Sequence, residues 1–93
     1  MKVDMVADLE EKVGRYLELF EAALESTGLA RGLEPGPHAK GEEFLNMARA
    51  YFADGLQFKE DNDLVNALVC FSYGHAWLDA GLRMGILEGG VPS

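Results

Sequence analysis

The chain holds a single cysteine, Cys70, among 93 residues. That excludes an intramolecular disulfide and a zinc site built on paired cysteines. Positive charge is also scarce. Eight Lys+Arg stand against sixteen Asp+Glu, a formal net charge of -8. Such a field repels phosphate unless the basic residues gather in one place. They do not: Lys2, Lys12, Arg15, Arg31, Lys40, Arg49, Lys59 and Arg83 are scattered along the chain. Nucleic acid and anionic membrane surfaces are therefore not expected partners. There is no run of about 18 apolar residues, the length a membrane-spanning helix needs. The first residues carry Asp4 and Asp8 where a signal peptide needs an apolar core, so a soluble, cytoplasmic protein is expected.

What is present is an ordinary globular composition, 48% hydrophobic and 26% charged. A chain of this length buries only about two-thirds of its unfolded surface, which leaves room for one domain, residues 1–93.

Helical periodicity is the main signal. Val6, Leu9, Val13, Tyr16, Phe20 and Ala23 recur at steps of three and four, and acids fill the other faces. This predicts a one-sided surface helix over about 3–28, stopped at Gly28. Residues 29–38 hold two prolines and two glycines and read as a loop. A second helix is expected over 39–60, with Phe44, Ala48, Tyr51, Gly55 and Phe58 on one stripe and Leu45, Phe52 and Leu56 on the next. Asp61-Asn62-Asp63 has N-cap chemistry, because each side chain can accept a bond from a free backbone N–H. A third helix follows over 63–87, stopped by Gly89, Gly90 and Pro92. No strand pattern is visible. The expected fold is all-α, a three-helix antiparallel up-and-down bundle. Its expected core is Leu9, Val13, Tyr16, Phe20, Phe44, Tyr51, Phe58, Leu68, Phe71, Leu78 and Leu82.

The third helix is apolar on too many sides. Leu64, Leu68, Phe71, His75, Leu78 and Leu82 form one face, and Val69, Tyr73, Ala76, Ala80, Met84 and Leu87 lie roughly opposite, with Trp77 beside them. Two neighbouring helices cover about half of such a circumference, so the rest must face something else. Either the loop 29–38 folds over it, or it is an interface with a second copy or another protein. The interface candidates are Val69, Tyr73, Trp77, Ala80 and Met84.

Few residues suggest chemistry. His75, Asp79 and Arg83 are spaced by four and form a candidate polar ladder on one helix face. It could polarise an imidazole as a general base or metal ligand, with Asp79 as orienter. A helix-borne di-metal site would need Glu-x-x-His pairs, and the sequence has none. His75, Asp79, Glu42, Glu43 and Asp54 could at most converge on a weak metal site. No catalytic residue, metal or cofactor is therefore assigned. Arg31 and His38 have a spacing similar to that of small helical ribonucleases, yet they straddle the proline-rich loop and the net charge opposes RNA. Cys70 lies in the apolar helix without a nearby cation to activate it.

Tyr51-x2-Asp54-Gly55-x2-Phe58 followed by Ala67-x3-Phe71 is similar to one tetratricopeptide-type hairpin, with Asp54 where that repeat has Leu. A single copy implies hairpin geometry and no peptide groove. A more specific likeness lies in Asp63–Leu87, above all Tyr73-Gly74-His75-Ala76-Trp77-Leu78-Asp79-Ala80-Gly81-Leu82-Arg83. This stretch resembles the archaeal family known as domain of unknown function 357. The resemblance implies a closed three-helix bundle from an archaeon and brings no activity or site residue with it.

The functional expectation is a small acidic helical protein without enzymatic activity. It would bind itself, as a homodimer, or another protein through the back of the third helix. The alternative is a small ligand- or metal-binding protein or hydrolase using His75, Asp79 and Arg83.

Overall fold

The structure, a computed structural model, describes residues 5–89. The elements run α1 (Met5–Ser26), β1 (Thr27–Leu29), α2 (Pro35–Glu60), α3 (Leu64–Met84) and β2 (Leu87–Gly89). The fold is all-α, three antiparallel helices, with one small clip of two short strands. Expected residues 3 and 4 of the first helix, and the stop signals at Gly90 and Pro92, lie outside the described residues.

Three boundaries differ from the sequence reading, each for a local reason. The second helix starts at Pro35 instead of residue 39, with Glu34 as its extended N-cap. Proline suits the first helical turn, where its missing N–H would have no partner anyway. His38 N already donates to Glu34 O at 2.9 Å. The first helix ends at Ser26, short of Gly28, because Thr27–Leu29 becomes a strand. The third helix ends at Met84 instead of Leu87. Gly85 takes a left-handed φ of 76°, and Ile86 N donates back to Gly81 O at 3.1 Å.

That turn returns the chain to the core. Ile86 and Leu87 are buried, and β2 pairs antiparallel with β1 in the register Thr27↔Gly89, Gly28↔Glu88, Leu29↔Leu87. Three-residue strands are too short to show the alternation a sequence reading looks for. At the other end of α3, Asp63 caps as expected. Its Oδ1 accepts from Asn66 N at 3.3 Å and its Oδ2 from Asn66 Nδ2 at 2.8 Å.

The helices lie side by side. α3 is the middle one, packed on both α1 and α2, whereas α1 and α2 meet little. The molecule measures 56 × 26 × 16 Å. The bundle is thus flat, where the family resemblance implied a closed one. Two glycines let α3 come close to its neighbours. A Cβ on Gly55 would enter the ring of Phe71, and one on Gly74 would enter the ring of Phe20.

The core joins Val13, Phe20 and Ala23 of α1, Leu45 and Ala48 of α2, Ala67, Phe71 and Leu78 of α3, and Ile86 and Leu87. Leu9, Phe44, Phe58, Leu68 and Leu82 pack partly buried around it, and Tyr51 is half-buried. Tyr16, expected inside, is 39% exposed, because it sits on the flank of α1 beside Leu19 and His75.

Candidate interaction surface on the third helix

A middle helix in a flat layer has two covered flanks and one or two open faces. At about 100° per residue, the buried residues of α3 centre between Gly74 and Leu78. On the far side, Val65, Ala76, Val69, Ala80, Tyr73, Met84 and Trp77 follow one another around an arc of about 120°. Within that arc the polar residues are Asn66 near the start of the helix and Arg83 near its end. Val65 and Met84 are each 61% exposed and Tyr73 is 59% exposed. Val69 and Ala76 are also exposed, while Ala80 and Trp77 are half-buried.

Trp77 is half-buried because it meets Phe44 of α2 edge to face, with ring centroids 4.9 Å apart. Tyr73 meets Tyr51 of α2 in the same way at 6.0 Å. Between these two aromatic pairs lies an open groove of about 380 Å³. Its α2 wall is Phe44 and Tyr51, and its α3 wall is Tyr73, Ala76, Trp77, Ala80 and Met84. The α2 residues were expected in the core. Their place on the rim follows from the flatness of the bundle, which leaves the α2–α3 seam open on one side.

The loop after β1 does not line this groove. It is held at the β1–β2 end instead. Ala30 N donates to Ile86 O at 3.1 Å, and Arg31 N donates to Glu88 Oε1 at 2.6 Å. Arg31 Nε donates to Glu88 Oε2 at 3.2 Å. Leu29 and Leu33 pack against the core.

The polar ladder forms in one half. His75 Nδ1 lies 3.7 Å from Asp79 Oδ2. Among the described residues Arg83 makes no hydrogen bond or ion pair with Asp79, so the expected three-residue array is a pair. His75 faces α1, where it shares a smaller hollow with Tyr16, Leu19, Phe71 and Ser72. Ladder and groove are therefore on different sides of α3. Arg31 and His38 have separate acidic neighbours, Glu88 and Glu42, the latter with Oε1 3.3 Å from His38 Nδ1. Glu43 is paired with Lys40. Among the described residues no three His, Cys, Asp or Glu side chains come together as a metal site. Cys70 is buried. Burial first, then the carboxylates of Asp54 and Asp63, pushes its thiol above the usual range.

A small helical layer with an open aromatic seam is the class of protein this geometry defines. The comparisons give the family. The family model described as "Protein of unknown function (DUF357)" matches residues 15–87, and the chain belongs to that family. Among solved structures, it is similar to protein AF1782 from Archaeoglobus fulgidus, itself assigned to the same family. The two share 27% identity at a TM-score of 0.76, over 92% of this chain and 99% of that one. A search of curated proteins finds no match. Among the described residues no helix is long and apolar enough to cross a membrane.

Proposed function

We propose that this protein is a non-enzymatic interaction module, and that the open face of α3 is where it binds itself or another protein. One observation carries the reading: Tyr73, Met84, Val65 and Val69 are large, apolar and exposed on one continuous helix face. Monomeric soluble proteins rarely leave contiguous apolar surface of this kind uncovered. Aromatic residues such as the half-buried Trp77 and the exposed Tyr73 are typical anchors at interfaces. A soluble, cytoplasmic setting goes with this reading.

The alternative, a ligand-binding protein or hydrolase at His75, Asp79 and Arg83, has the His75–Asp79 contact in its favour. Against it stands the incomplete ladder: among the described residues Arg83, its only cation, makes no ion pair or hydrogen bond with Asp79.

The test uses Tyr73→Lys and Met84→Lys, both at exposed positions. Each variant should keep the helical circular dichroism of the parent. Each should lower the solution mass, or abolish capture of a partner by the immobilised protein. Trp77 is the sole tryptophan and sits in the groove, so its emission reports whether that surface is covered. Lysines that leave mass, capture and folding all unchanged contradict the proposal.

A further inference from the structure

We infer that the occupant of this face is the α3 of a second copy, packed antiparallel about a twofold axis. The inference rests on the interaction reading above and adds the partner and its orientation.

The face is as long as the helix. Val65 and Met84 stand about 29 Å apart along the axis, so its cover must be elongated and apolar. Its two halves differ in bulk. The first half carries Val65, Val69 and Tyr73; the second carries Ala76 and Ala80 before Met84, with Trp77 at its edge against Phe44 of α2. Antiparallel pairing centred between Tyr73 and Ala76 sets Tyr73 and Val69 on alanines and Val65 on Met84 at the two ends. Tyr73 meets the second copy's Ala76, and Val69 meets its Ala80. Parallel pairing stacks Tyr73 on Tyr73 and leaves the alanines facing each other.

Charge selects the same orientation. Arg83 is exposed at the end of α3, and among the described residues it makes no ion pair. The start of α3 is acidic, with Asp61 and Asp63. Antiparallel pairing brings Arg83 of each copy to Asn66 and those carboxylates of the other. Parallel pairing sets Arg83 against Arg83. The helix dipoles also oppose each other favourably in the antiparallel arrangement. The net charge of -8 on each copy works against association at low salt, so the dimer is expected near 0.15 M ionic strength, where the Debye length is about 8 Å.

The experiment mixes full-length Val69→Cys and Ala80→Cys proteins, oxidises them with diamide, and reads the covalent dimer on a denaturing gel. Native Cys70 is buried and stays in place. Strong cross-linking in the mixture, with little in either variant alone, is the expected result. Arg83→Glu should weaken the non-covalent dimer by roughly fivefold or more, and Arg83→Lys should restore most of it. Cross-linking of Val69→Cys alone means parallel pairing and overturns the inference. A dimer that forms neither cross-link uses another face and overturns it too. A protein that stays monomeric at every concentration also overturns it. If that monomer still binds a different protein and loses the binding with Tyr73→Lys, the interaction reading stands while the second copy does not.

Discussion

The ring of Phe20 lies where a Cβ on Gly74 would have to go. Phe20 is fully buried and also meets Phe52 edge to face, with centroids 5.4 Å apart, so it has no room to move aside. Gly74→Ala is expected to destabilise the protein by about 1–3 kcal/mol, the usual result of overfilling a packed core. Gly55→Ala should do the same through Phe71. Gly14 is the contrast, since a Cβ there meets nothing within 4 Å. Gly14→Ala should raise stability by roughly 0.5–1 kcal/mol, because alanine is the better helix former. Urea denaturation of the three variants checks the ordering.

The link between Glu88 and Arg31 holds the loop to β2. One carboxylate accepts from both the backbone and the side chain of Arg31. Arg31 is exposed and Glu88 half-buried, so Glu88→Ala should cost no more than about 1 kcal/mol globally. Its local effect should be larger. Amide hydrogen exchange of Ala30 and Arg31 is expected to speed up while exchange in the middle of α3 stays unchanged. Glu88→Gln keeps an acceptor for Arg31 N–H and should retain part of the protection.

Cys70 should behave as a buried, neutral thiol. Its proton is held more tightly in the folded chain than in the unfolded one, by burial and then by Asp54 and Asp63. The stability tied to that proton is complete below the ordinary thiol value of 9.0 and is lost as pH climbs above it. Stability measured from pH 8 upward should therefore fall more steeply in the parent than in Cys70→Ala. Alkylation at pH 8 should be slow in the native protein and fast after unfolding.

Calorimetric titration with zinc, manganese and iron(II) should give no saturable heat. His38 with Glu42 at 3.3 Å and His75 with Asp79 at 3.7 Å each offer two side chains, fewer than structural metal sites use. A saturable heat that disappears in His75→Ala would reopen the ligand-binding alternative.

The sequence made some features of this fold plain and hid others for physical reasons. The three helices, the Asp63 cap and the apolar far side of α3 were legible, because each depends on local chemistry or on period. The start of α2 was not. Pro35 and Pro37 serve equally well in a loop or in a first helical turn, and tertiary packing decides between them. Gly85 and Gly89 are both able to end a helix, and the one used is set by Ile86 and Leu87 returning to the core. The Arg31–Glu88 link joins residues 57 apart in sequence, beyond any local pattern. At the candidate surface, Tyr73, Trp77 and Met84 were visible as an apolar excess. Phe44 and Tyr51 were not, since their stripe looks like core until the flat arrangement of the helices opens the α2–α3 seam.

The most direct test of the exposed α3 face is molar mass by light scattering, measured across a concentration series for the parent and for Tyr73→Lys. The parent should rise from 10.2 kDa toward about twice that value, and Tyr73→Lys should stay at the monomer mass while remaining folded. A dimer of equal strength in both proteins would place self-association elsewhere and contradict the account.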